Sequence, residues 1–503
     1  MNASQLRIFC LCSVFIVIPF LSCSNPAGSS KEPQPAVNYT LTLSYNGTEK
    51  SITVSPGSVV KGSQGFSGLN DNTVWGMQKN GNWIAQVTAD GLVFVPIPVN
   101  TDEILLSGKD DLSKIGNDPE YPMTGTYILV SDIDLKGEQW IPIGYNAGGS
   151  SEDPFKGKLY GNGHTIKGLN LGGTISDNLG RGLFGHTSGA YIENLNIVLI
   201  DTPIEIEKCY YLGALVGYSR ENDTFDRISV SGKMIITISP NRHSFLNIGG
   251  IVGYGSSTVL TNSCSSAEME VTHEYPPGGS SYLDIGGLAG SLRGSIEKSF
   301  FSGNIKAVNK GYDVIAGGIL GSGECVISDC YSLGKISAVC EANYTYIYNV
   351  YAGGIAGRNN SSINTSYSTG SISAAFAAKP EVAGAGGIAG INWMDSSEII
   401  NCVALNDEIS SGHNTSFASR IVAINTYDGP LSGNLANNAM IIKKAGNTIP
   451  ATPTGANTMH GADETLSNLK NQSAYSALSW NFPNTWIMDT RISEYPILRW
   501  QVE

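Results

Sequence analysis

An all-β chain coiled into a parallel β-helix of about nine coils is the fold class that the sequence predicts, with a small N-terminal β-sandwich or meander domain and a C-terminal aromatic cap. Three observations predict it. A short glycine phrase returns as Gly182-Leu-Phe-Gly185, Gly213-Ala-Leu-Val-Gly217 and Gly249-Gly-Ile-Val-Gly253, and later copies close at Gly290, Gly321, Gly357 and Gly390. Its closing glycines are 31 to 37 residues apart, and a worn copy, Ser419-Arg-Ile-Val-Ala423, comes 33 residues after the last. A second phrase ends at Gly303, Gly334 and Gly370, each 13 residues after a closing glycine. Thirdly, the chain has 60 glycines among 503 residues and only 15% charged residues. Repeats at this spacing mean stacked coils, each burying its apolar face on its neighbours.

The second phrase reads Ser-Phe-Phe-Ser-Gly, Cys-Tyr-Ser-Leu-Gly and Ser-Tyr-Ser-Thr-Gly, with looser copies ending at Ala267 and Asn406. An aliphatic residue precedes it in each unit: Leu260, Ile296, Ile327, Ile363 and Ile399. Such runs are too short and too rich in glycine for helix pairs and suit strands stacked about 4.8 Å apart. Together the two phrases resemble the GLUG motif of bacterial surface and secreted proteins, over Tyr127 to about Met440. That resemblance implies a right-handed β-helix and leaves function much less specified, because the motif residues are parts of the solenoid.

Residues 1–23 read as a signal peptide of lipoprotein type. Arg7 gives the positive end, Ile8–Leu21 the apolar stretch, and Phe20-Leu-Ser-Cys23-Ser resembles a lipobox, in which Cys23 would carry the lipid. Residues 24–37 are a Pro/Ser/Gly tether with almost nothing to bury, long enough to reach roughly 20 Å as a coil. Residues 38–100 read as a small antiparallel β-domain. Thr40–Ser44 and Ser51–Val54 alternate around an Asn46-Gly47 turn, and Trp75, Trp83 and Phe94 are expected in its core. The solenoid is expected over 101–440. Residues 441–503 form a capping segment, with a helix over Asp463–Leu478 and then Trp480, Phe482, Trp486, Tyr495 and Trp500 to shield the last coil.

Six cysteines remain beyond Cys23, an even count that in a secreted chain invites disulfides. The register argues against most of them. Cys330 and Cys402 hold one repeat position two coils apart, roughly 9.6 Å at the strand spacing, whereas a bridge needs Cα atoms within about 7 Å. Serines hold that place in other coils, so Cys264, Cys330 and Cys402 are expected as buried free thiols that fill a small space, and Cys325 with Cys330 or Cys340 is the one local pairing left open.

The formal charge of −13 gives no basic footprint for nucleic acid and none for anionic lipid, leaving the N-terminal lipid as the only membrane contact. The six histidines show no His-Glu-x-x-His spacing, and no nucleophile elbow is present. Asp132 and Asp134 share a strand face and could cap a turn or meet Ca²⁺; capping is the reading adopted, and no metal or other cofactor is expected. Insertions between units should emerge on one side, the usual place for a binding face. There Tyr344, Tyr346 and Tyr348 alternate and are the expected ligand contacts. The resulting expectation is an adhesin-like outer-membrane lipoprotein, or else a secreted protein, that binds a glycan or a host or neighbouring protein and is not an enzyme. The alternative is a carbohydrate-active enzyme, a polysaccharide lyase or glycoside hydrolase on a pectate-lyase-like β-helix, which would need acids clustered on one face, often with Lys or Arg.

Overall fold

The computed structural model describes residues 38–62, 66, 73–79, 82–89, 91–97, 102–144, 153–173, 180–207, 209–238, 243–274, 280–341, 349–377 and 382–503. It is an all-β chain dominated by a right-handed β-solenoid of about nine turns. Each full coil runs over three faces, here A, B and C. Face A is an eight-stranded parallel sheet whose members include Tyr211–Gly213, His243–Gly249, Ser280–Gly286, Asp313–Gly317 and Val350–Gly353. Face B carries Val216–Arg220, Val252–Thr261, Ala289–Glu297, Leu320–Gly323 and Ala356–Asn359, then a short strand such as Phe300–Phe301 or Tyr331–Ser332. Face C holds Lys233–Ile238, Glu268–His273, Ile305–Asn309 and Ile336–Cys340.

Register is kept from coil to coil. Leu212, Ile248, Ile285, Ala316 and Ala352 form one inward row on face A, and Val216, Val252, Ala289, Leu320 and Ala356 one on face B. The aliphatic inside each glycine phrase is the corner between them: Leu215, Ile251, Leu288, Ile319 and Ile355 are all fully buried in one continuous core. Glycine is required beside that corner. A Cβ on Gly354 would lie 2.0 Å from the Gly387 carbonyl, because the next coil passes directly over it.

The corner after the long face B strand is made differently. Asn194, Arg227, Asn262, Lys298, Asp329, Thr365 and Asn401 stand at one place in successive coils, all with φ between 44° and 54°. Left-handed backbone is uncommon outside glycine, and Asn and Asp tolerate it best, which accounts for four of the seven. From Asn262 onward the following residue packs inward as Ser263, Ser299, Cys330, Ser366 or Cys402, and as Asn434 after Gly433 in the next coil, and its side chain caps a backbone group of the same or the preceding coil. All six cysteines of the described region are free and buried. Cys264, Cys330 and Cys402 are fully buried, as their register implies.

The N-terminal domain is a single five-stranded sheet in the order Thr48–Val54, Tyr39–Tyr45, Val93–Pro96, Trp75–Lys79, Asn82–Ile84. It is not wholly antiparallel: Thr42 and Leu43 pair with Val93 and Phe94 in parallel. Trp75 and Phe94 are core residues, while Trp83 is only partly buried.

The C-terminal segment differs from the expected shield over the last coil. Its helix is two short pieces, Leu466–Leu469 and Gln472–Ser476, separated by Asn471 in extended conformation. Its aromatic residues lie along the flank of the solenoid. Phe300, Tyr331 and Tyr367 stack outward on three consecutive coils, with ring centroids 4.8 and 5.0 Å apart. Trp480, Trp486 and Trp500 cover that ladder and donate their indole N–H groups to Asn401 O, Asp329 Oδ1 and Lys298 O, at 2.9, 2.9 and 2.8 Å. Burying so many rings outside the core explains why the tail is aromatic.

Candidate functional site

Faces A and B meet at a sharp inward fold, so their outward side chains converge in a furrow along the solenoid. The glycine phrase makes the fold: a Cβ on Gly253 would lie 2.4 Å from Leu212 N, on the face A strand of the preceding coil. Two residues before the first glycine of each phrase, face A contributes Tyr211, Asn247, Asp284, Ile315 and Tyr351, which are aligned by direct strand pairing. One residue after the closing glycine, face B contributes His186, Tyr218, Tyr254, Ser291, Ser322, Arg358 and Ile391. Ring contacts establish that the rows face each other: Tyr211 lies 5.2 Å from Tyr218 and 5.0 Å from Tyr254. Farther along, Ile315, Tyr351 and Ile391 form a separate buried apolar cluster that floors the furrow.

The titratable groups gather at its middle. Asp284 is partly exposed and accepts a hydrogen bond from the Ser322 hydroxyl of the next coil. Burial pushes its carboxyl up to about 6; the Ser322 hydrogen bond and the Arg358 charge oppose the rise, and the Asp313 charge adds to it. Asp313 lies one coil along and two residues back in register, so the two Cα atoms are roughly 8 Å apart at ordinary strand spacings. It is buried and accepts from Asn349 N and Nδ2, both at 2.9 Å. Burial raises its carboxyl too, against the pull of Asn349 and Arg358. The Arg358 guanidinium lies 5.4 Å from the Trp393 ring centroid, and its Nε has no hydrogen-bond partner among the described residues. Two carboxyls, one guanidinium and the Trp393 ring therefore come together at the middle of the furrow. Such a group can exchange a proton near neutral pH while holding a polar ligand.

The sequence expectations fare unevenly. Cys23, Tyr344, Tyr346 and Tyr348 lie outside the described residues. Asp134 accepts from Lys136 N at 2.8 Å and so caps its turn, whereas Asp132 ties to the next coil, accepting from Thr165 N at 2.9 Å and meeting His164 at 3.4 Å. Sequence reasoning missed Asp284, Asp313 and Arg358. A signal for two of them was present: the places two before and one after the glycine phrase vary in chemistry while the phrase does not.

An opening of about 890 Å³ lies near the start of the solenoid between Lys109–Met123 and Gln139–Gly144. Its one lysine, Lys109, is paired with Glu138, and its lining brings no coupled carboxyls together.

No protein-family model and no curated protein matches the chain. Among solved structures it is similar to a candidate immunoglobulin A1 protease from Bacteroides ovatus, at 16% identity and a TM-score of 0.37, over 80% of this chain and 94% of that one. It is also similar to a structure named IgA1 Protease, at 12% identity and a TM-score of 0.36, over 90% of this chain and 32% of that one. Both names denote enzymes, and the expectation that this chain is not an enzyme is corrected on that finding. At these scores neither activity transfers to this chain.

Proposed function

We propose that the chain is a surface-tethered, GLUG-type carbohydrate-active enzyme that hydrolyses a glycan held in the furrow. The observation that carries this reading is the Asp284 carboxyl, raised to about 6 beside Asp313 and Arg358 in a groove rimmed by aromatic rings. Protonated Asp284 gives its proton to the glycosidic oxygen as the bond to the anomeric carbon breaks, and that oxygen keeps the electron pair. Water then bonds to the anomeric carbon and loses a proton to solvent, from which Asp284 is reprotonated. Asp313, held in place by Asn349, lends negative charge to the cationic transition state, and Arg358 orients sugar hydroxyls by donating hydrogen bonds.

Tyr344, Tyr346 and Tyr348 stay in the proposal as further ligand contacts, because the chain returns to the described structure at Asn349, which holds Asp313. Attachment through a lipid on Cys23 at the bacterial outer membrane belongs to the same reading; labelling with a tagged fatty acid should mark the wild type and not Cys23→Ser.

The decisive experiment incubates the mature chain with a panel of polysaccharides and measures new reducing ends. Cleavage should appear for at least one glycan and fall by about a hundredfold or more in Asp284→Asn. No cleavage by the wild type, or equal cleavage by the variant, overturns the proposal.

A further inference from the structure

The furrow changes character along its length. On the N-terminal side of Asp284 it is lined by Tyr211, Tyr218 and Tyr254, with Tyr218 and Tyr254 also 5.5 Å apart. All three rings are partly exposed, and their hydroxyls make no hydrogen bond among the described residues. His186 stacks on Tyr218 at 4.8 Å and 14°; it is 6% exposed, and its Nε2 has no hydrogen-bond partner among the described residues. Burial, with Arg220 nearby, holds the imidazole neutral, its pKa lowered to about 4. This cluster does nothing for the core, whose rows lie on the other side of both strands. It offers aromatic ring faces, tilted 30° to 52° to one another, with polar tips, and the C–H face of a sugar ring packs against such rings.

We infer that this tyrosine cluster is a sugar-binding platform, and that the furrow takes a neutral, linear glycan laid along the solenoid axis from the platform to Asp284. The inference deepens the hydrolase reading and rests on it for the position of the reacting bond. Geometry supports the direction: Tyr218 and Tyr254 are on consecutive coils, and Asp284 is on the coil after Tyr254. Successive sugars would therefore meet the same backbone at each step of about 4.8 Å.

Charge argues for a neutral chain. With Asp284 protonated, Asp313 offsets the Arg358 charge, so no net positive charge is left where the bond would sit to hold an acidic sugar. Two nearby cations are paired, Arg220 with Glu221 and Arg293 with Glu324, each at 3.6 Å. With a formal charge of −13 on the whole chain, a polyuronate would be repelled before it reached the furrow. β-Elimination, which needs such a substrate, is disfavoured for the same reason.

Affinity electrophoresis of the mature chain in native gels tests this apart from catalysis. The gels contain laminarin, xylan or galactomannan as neutral polymers, or alginate or polygalacturonate as anionic ones. At least one neutral polymer should retard the wild type, and the anionic polymers should not. The double variant Tyr218→Ala/Tyr254→Ala should lose affinity at least tenfold. Tyr218→Phe/Tyr254→Phe keeps the rings, guards against misfolding, and should lose less. Retardation by anionic polymers only, by none, or equally for wild type and the alanine variant overturns the platform. Neutral-glycan binding without cleavage leaves the platform standing and refutes the hydrolase reading alone.

Discussion

The Ser322 hydroxyl donates a hydrogen bond to Asp284 Oδ2 across 38 residues of chain, from the face B strand of one coil to the face A strand of the coil before. This bond stabilises the ionised carboxylate and so holds down a pKa that burial drives up to about 6. Ser322→Ala should raise the pKa further. The alkaline limb of the pH–rate profile, expected near 6 in the wild type, should move to higher pH in that variant. The stability linkage has the matching sign. Between its ordinary value of 3.8 and about 6 the folded state binds more protons at Asp284 than the unfolded state does, so this contribution is complete below the ordinary value and is lost as pH rises through 6. Chemical denaturation at pH 4.5 and pH 7 should show that the wild type loses more stability between the two than Asp284→Asn does, because the variant keeps every pH-dependent contribution except that of Asp284.

Gly354→Ala should be among the most damaging single changes in the chain. The added Cβ would meet the Gly387 carbonyl at 2.0 Å and Ser368 Oγ at 2.4 Å, and the backbone carbonyl cannot swing away without opening the coil. A loss of roughly 3 kcal/mol or more is expected in urea denaturation. Gly446→Ala is the control for crowding: nothing lies within 4 Å of its Cβ, and only its φ of +78° opposes the change.

The aromatic tail should contribute stability along the flank. Trp486 is fully buried against Tyr331 and Tyr367 and donates to Asp329. Trp486→Ala should cost about 3–5 kcal/mol. Hydrogen exchange should quicken around the short strands at Phe300, Tyr331 and Tyr367, and less on face C.

Cysteine chemistry gives a check on register. Burial pushes the Cys209 and Cys402 thiols up to about 12 and raises Cys325 and Cys330 as well. A charged disulfide reagent should therefore find almost no reactive thiol among Cys209, Cys264, Cys325, Cys330, Cys340 and Cys402 in the folded chain at neutral pH. All six should react after denaturation without reductant. Fewer than four would mean that the coils are not stacked in the register described.

The sequence by itself determined the stack. Gly-Gly-Ile-Val-Gly specifies a corner that admits no Cβ, its aliphatic specifies what fills the corner, and repetition at one spacing specifies that neighbours bury each other. These are local requirements repeated in every unit, so a single sequence exposes them. The free thiols were legible for the same reason: register alone sets their separation. What the tertiary structure decided is where chemistry collects. Asp284, Asp313 and Arg358 are scattered over 74 residues and belong to three coils; nothing local says that the outward rows of faces A and B converge, because that depends on how sharply the backbone folds at Gly253 and its equivalents. The same holds for the tail, whose tryptophans meet Phe300, Tyr331 and Tyr367 only because the chain turns back along the flank, a long-range choice made by where unpaired aromatic area was left exposed.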